Sequence, residues 1–152
     1  MSIQKIACCT DFSEHAHSAV DEALEMAEKY GAKLYILHVV PPVITPVLAD
    51  SEPELGDGEP HQSLILRIED RMGQELGPRI SDQVDSQFVV LSGHVSTEIL
   101  DFLEKNDIDV AVMGSYGLTG MGLVVFGSVA KRVAHKAPCS VMIVRKKEKE
   151  PA

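Results

Sequence analysis

Tryptophan is absent from the 152-residue chain, and aromatic residues make up only 5% of it. That scarcity argues against an aromatic platform for stacking nucleic-acid bases. Positive charge is also scarce: 14 Lys and Arg against 23 Asp and Glu give a formal net charge of -9. A DNA-binding or anionic-membrane surface needs clustered cations. The only basic cluster, Arg145, Lys146 and Lys147, shares a tail with Glu148 and Glu150 and reads as solvated. No apolar run reaches the roughly 18 residues needed to span a bilayer, so neither nucleic acid nor membrane insertion is expected. The opening MSIQKIACCTDFSE lacks a long apolar stretch, so no secretory signal is expected. Cysteine is limited to Cys8, Cys9 and Cys139 with no CxxC spacing, which suggests reduced thiols and a cytoplasmic protein.

What is present suits one globular domain. The chain is 45% hydrophobic and 24% charged, enough apolar material for a core without disulfides or a structural metal. Residues 1–147 read as the domain and 148–152 as a short charged tail. Residues 3–9 predict a strand. Asp11 followed by Glu14 predicts a capping-box variant opening a helix, and Ala16, Val20, Ala23 and Ala27 trace one helical face up to Gly31. KLYILHVV (33–40) reads as a strand buried on both faces. Five prolines across 41–60 predict a loop, and its acidic residues 50–59 a solvated one. Ile65, Ile68, Met72 and Leu76 predict a helix over 61–80. SQFVVLSG (86–93) reads as a strand, and Ile99, Leu100 and Leu103 mark a helix with Ser96 as its N-cap. Residues 109–115 predict a strand, 128–136 a helix and 139–145 a last strand. Strict alternation implies an α/β fold: a single-domain, five-stranded parallel sheet with helices on both faces. Ligands of such sheets sit beyond the C-terminal strand ends, near a topological switch point. That brings together Thr10 and Asp11, Val39 and Val40, and Gly114 onward.

The segment 110–128, VAVMGSYGLTGMGLVVFGS, holds five glycines between a buried strand and a helix start: Gly114, Gly117, Gly120, Gly122 and Gly127. Glycine permits positive φ and lets an anion approach backbone N–H groups. A helix start adds free amides and a positive dipole end, and the Ser128 hydroxyl could donate to a phosphate oxygen. On glycine content alone, a connecting turn and a phosphate cradle are both open. It is no Walker A loop, because Gly-Lys-Ser/Thr is missing, and no dinucleotide GxGxxG stands in the first βα turn, which reads CTDFSE.

Gly114, two residues, Gly117, nine residues, then Gly127-Ser128 resembles the nucleotide-binding signature of the universal stress protein family. CTDFSE (9–14), LHVV (37–40), VAVMGSYG (110–117) and GSVAKRVAHKAPCSVMIVR (127–145) are similar to that family in order and separation. The likeness is weakest across 43–62. It implies a Rossmann-like, adenine nucleotide alpha hydrolase-like fold and an ATP, ADP or AMP site, with Mg²⁺ bound through the phosphates. In the family's ATP-binding branch the matching residues are Asp11 against the nucleotide, Val39 for the adenine edge, and Gly114, Gly117, Gly127 and Ser128 around ribose and phosphates, with Thr10, Met113, Ser115 and Val129 as further nucleotide-binding candidates. It also implies a stress-response homodimer joined through the strand 139–145. Two positions depart from the family: Tyr116, often His there, and Leu118, often basic. With no Lys or Arg from Gly114 to Ala130, phosphate would be met by amides and Ser128, predicting modest affinity that favours AMP or ADP.

The remaining candidates carry less. Asp11 could be a helix cap, a ligand or both. His15 and His17 stand two apart and share no helical face, a poor metal pair. His38 reads as a satisfied core histidine, and His94, past a strand end, could approach the site. Cys8 and Cys9 should point to opposite faces. A hydrolase needs a positioned base and cations around the γ-phosphate. Asp11 and Ser128 alone predict slow turnover at most, so no catalytic residue is assigned. A nucleotide-regulated module with an unknown protein partner, a dimeric scaffold with a vestigial pocket, and a slow ATPase are the functional classes left open.

Overall fold

The computed structural model describes residues 2–41, 59–115 and 125–145. Its elements run β1 (Lys5–Cys9), α1 (Glu14–Tyr30), β2 (Lys33–Val40), α2 (Glu59–Leu76) with a 3₁₀ turn at Gly77–Arg79, β3 (Ser86–Ser92), α3 (Val95–Lys105), β4 (Val110–Gly114), α4 (Val125–Lys136) and β5 (Ser140–Val144). The five strands form one parallel sheet in the order β3-β2-β1-β4-β5. The expected α/β architecture is therefore present, with β1 central and the strand order reversing between β1 and β4.

Alternation along the strands divides the core into two layers. Ile6, Cys8, Leu34, Ile36, Val110 and Val112 face α1 and α2, meeting Ala19, Val20, Ala23, Met72 and Leu76. Ala7, Cys9, Leu37, Val39, Ala111 and Met113 face α3 and α4, meeting Ile99, Leu103, Val129 and Val133. Crossovers of one hand require this arrangement once the strand order reverses, so helices cover both faces. Cys8 and Cys9 accordingly lie in opposite layers. Burial pushes both thiols up, Cys8 well above the ordinary thiol range and Cys9 to about 12.

Local signals explain most boundaries. Gly31 adopts φ 62°, and the Ala32 N–H reaches the Ala27 carbonyl at 2.9 Å, ending α1 in a left-handed cap. Three expectations need correction. The α1 cap is Ser13, whose Oγ accepts from the Ala16 N–H at 3.1 Å; the Asp11 carboxylate instead accepts from the Ser13 N–H at 3.0 Å. The α3 cap position is His94, not Ser96, which already lies inside the helix. α2 begins at Glu59 and α4 at Val125, each earlier than proline and glycine content suggested. The acidic stretch up to 58 and the tail beyond 145 lie outside the described residues.

Candidate functional site

The site region is built where strands of unequal length end. β1 pairs with β2 only as far as Cys9 opposite Leu37, whereas β2 continues beside β3 to Val40 opposite Ser92. The Thr10 N–H donates to the Leu37 carbonyl at 2.8 Å. Backbone groups two residues apart on a strand point the same way, so Val39 presents its N–H and carbonyl to the β1 side, past the last β1 pairing. β4 likewise outruns β1, its final pairs being Met113 with Ile143 and Gly114 with Val144 of β5. The shorter central strand leaves a crevice at the reversal of strand order, the usual ligand position in such sheets.

The β1–α1 turn on its floor is held on several sides. Thr10, 2% exposed, accepts from the Phe12 N–H through Oγ1 at 3.1 Å. Phe12 takes φ 65°, an uncommon conformation for a residue with a large side chain. Its ring is packed against His38, centroids 4.9 Å apart, and lies under the Arg71 guanidinium of α2 at 4.1 Å. His38 Nδ1 stands 2.8 Å from the Thr10 carbonyl, so the neutral ring carries its proton on Nδ1. Burial lowers the His38 pKa, and the bond to Thr10 opposes that shift only in part. His38 is thus a satisfied, half-buried histidine that ties β2 to the turn carrying Asp11.

Gly114 has a packing reason to be glycine. A Cβ there would stand 2.9 Å from the His15 carbonyl oxygen and 3.0 Å from its carbon, so α1 presses on this backbone. Gly127 has none among the described residues: a Cβ would meet the Ser115 carbonyl at an ordinary 3.8 Å. The two glycines share a motif and differ in cause. Beyond them, the Ser115 hydroxyl oxygen is buried with no hydrogen-bond partner among the described residues, while its N–H donates to the Val144 carbonyl at 3.0 Å. A buried, unmade polar contact is costly, and here it stands at the end of β4.

Next to this crevice lies a cavity of about 330 Å³, lined by Pro41, His94, Val95, Ser96, Ser128, Val129 and Arg132. Its size is at the lower end of ordinary small-molecule sites. Of the expected residues, Ser128 and Val129 form its wall. Val39 and Met113 are buried in the core layer that also holds Val129. Thr10, Asp11, Gly114 and Ser115 lie at the neighbouring strand ends, and Gly127 in the first turn of α4. Gly117, Tyr116 and Leu118 lie outside the described residues. His94 does reach the cavity. Arg132 and Ser96 were not anticipated; the i, i+4 spacing of Ser128 and Arg132 was the available signal. Among the described residues, no group of three or more His, Cys, Asp and Glu side chains could hold a metal ion.

Comparison with known proteins agrees with this architecture. The model of the universal stress protein family matches residues 2–145. A universal stress protein of Methanocaldococcus jannaschii is 32% identical over 153 aligned positions, covering 97% of this chain and 85% of that one. Among solved structures, the universal stress protein UspA from Lactobacillus plantarum superposes with a TM-score of 0.77 at 25% identity, covering 95% and 99% of the two chains. A universal stress protein from Archaeoglobus fulgidus, solved in complex with dAMP, shares the fold at a TM-score of 0.55 and 22% identity, covering 94% and 98%.

Proposed function

The chain belongs to the universal stress protein family, and from that premise we propose that it is a stress-response regulatory protein that binds an adenine nucleotide at the C-terminal end of its sheet. The observation that carries this reading is the cavity of about 330 Å³ between the starts of α3 and α4, walled by Ser128 and Val129 and by Pro41 just past the end of β2. Adenine needs an apolar slot with a few backbone hydrogen bonds; Val39 offers backbone groups directed past β1, and Val39 and Met113 supply apolar strand ends. The Ser115 hydroxyl, buried without a partner among the described residues, is a group that ribose or phosphate would satisfy, and the Ser128 hydroxyl and the first amides of α4 are polar groups suited to phosphate. ATP, ADP and AMP all fit this chemistry, and Mg²⁺ would be carried on the phosphates. The dAMP of the Archaeoglobus fulgidus protein supports the ligand class.

The protein would act as a switch: nucleotide binding favours one of two partner-binding states by the difference in its affinity for them. Homodimerisation through β5 belongs to the same reading. β5 is a sheet edge, and Met142 and Ile143 on it are 38% and 40% exposed, apolar surface that a second copy would cover. Three free cysteines fit a reducing, cytoplasmic setting. Hydrolysis would be slow at most, with Asp11 and Ser128 as candidate groups to assist it.

The test is to denature the purified protein and separate what is released by ion exchange. Adenine nucleotide near one per chain supports the proposal. No released nucleotide, together with no thermal shift from millimolar ATP-Mg²⁺ or AMP, would leave a dimeric scaffold with a vestigial pocket.

A further inference from the structure

No Lys or Arg lies from Gly114 to Ala130, yet the cavity is not without cations. Arg132 follows Ser128 by four residues in α4, so the two project from one helical face a turn apart, and both line the cavity. Arg132 is exposed and forms no ion pair or hydrogen bond among the described residues. His94 faces the same space from the start of α3. Its Nδ1 is engaged, 3.0 Å from Thr97 Oγ1 and 3.3 Å from Ser96 Oγ, which leaves Nε2 as the ring's remaining polar atom. Two basic side chains and no carboxylate appear in this lining among the described residues, although the chain as a whole carries a net charge of -9. The fixed positive charge of Arg132 at a cavity on an acidic protein is a selective feature, because the surface around it is on balance anionic.

We propose that Arg132, with His94 opposite, reads the phosphate of the bound nucleotide and sets the preference for phosphorylated adenosine over adenosine. This inference rests on the cavity being the nucleotide site. A phosphate near the Ser128 hydroxyl lies within one helical turn of the Arg132 guanidinium, whose planar fork matches two phosphate oxygens. Recognition is then shared between backbone amides and a side chain, and it depends on salt because Arg132 is exposed.

The experiment is calorimetric titration of AMP and of adenosine into the wild-type protein, Arg132→Gln and Arg132→Lys, at low and high salt. Arg132→Gln is expected to weaken AMP about tenfold, to leave adenosine unchanged and to flatten the salt dependence. Arg132→Lys restores part of the loss, since an ammonium supplies charge without the fork. His94→Gln weakens AMP less, in the same direction. If Arg132→Gln binds AMP as tightly as the wild type, the assignment is wrong and the nucleotide site stands. Equal weakening of AMP and adenosine also overturns it, because the residue would then be shaping the cavity. A wild-type protein that binds neither compound overturns the site and this inference together.

Discussion

The two ends of the sheet are built on opposite plans. At the N-terminal end backbone and side-chain groups of several elements bond to one another. Asp109 Oδ2 accepts from the N–H groups of Gln4 and Lys5 at 2.8 and 2.9 Å, its own N–H donates to the Lys5 carbonyl at 2.9 Å, and Lys33 and Leu34 donate to Gln4 and Asp85. Lys5 Nζ adds a bond to the Asn106 carbonyl. At the C-terminal end the central strand stops short, the Ser115 hydroxyl is buried without a partner among the described residues, and a cavity opens between α3 and α4; positive φ does not separate the ends, since Phe12 and Gly93 adopt it here and Gly31 and Asp107 at the other. One end is finished as protein, and the other leaves contacts to be made. The buried hydroxyl and the cavity are the departures that lie where a ligand would sit.

The largest effect that could break this contrast is at Gly114. Gly114→Ala should cost about 2–3 kcal/mol in urea denaturation, because the new methyl meets the α1 backbone rather than a side chain that can turn away. A stability close to wild type would mean that α1 yields there and that the glycine serves only the site. Next, Asp109→Ala should cost about 1 kcal/mol by leaving the part-buried Lys5 amide without its acceptor, while water can replace it at the exposed Gln4 amide. Nucleotide affinity should not change, and a parallel loss of binding would show that the two ends are coupled. Gly127→Ala should act in the opposite sense. It adds about 0.5–1 kcal/mol of stability inside α4, since the methyl has room, while lowering nucleotide affinity by crowding the amides. A gain in stability with unchanged affinity would take Gly127 out of the site.

The smallest effect is on pH dependence. His38 has its pKa lowered by burial, so below about pH 6.5 the unfolded chain takes up a proton that the folded chain resists. Its contribution to stability is complete above that pH and is lost as the pH falls through it. Thermal melts between pH 7.5 and 5.5 should show this decline, and His38→Gln should flatten it. An identical decline in the variant would assign it to other groups.

Much of this was legible before the structure. Continuous apolar runs marked the strands, and three- and four-residue spacings marked the helices. Their alternation was sufficient for the parallel sheet and its C-terminal ligand end. The helix starts were harder. Asp11 and Glu14 stand at capping-box spacing, but Phe12 turns left-handed, and the cap passes to Ser13. Glu59-Pro60 and Val125-Phe126 open helices inside segments whose proline and glycine content suggested loops. Arg132 and His94 were in plain view as residues but not as a pair. They meet only because the β1–β4 reversal brings the start of α3 beside α4, a long-range relation that no local pattern encodes. Gly114 and Gly127 looked alike for the same reason, since what presses on each comes from elsewhere in the chain.

The adjacent cysteines of the central strand have a use that is independent of any ligand. Cys8 and Cys9 are fully enclosed on opposite faces of β1, with their thiolate forms strongly disfavoured, whereas Cys139 is partly exposed. A thiol-modifying reagent needs thiolate and access, so in the native protein it should reach Cys139 first and β1 only during opening events. The chain therefore carries three native labelling positions: one reports surface chemistry, and two report separately how often each layer of the core comes away from the middle of the sheet.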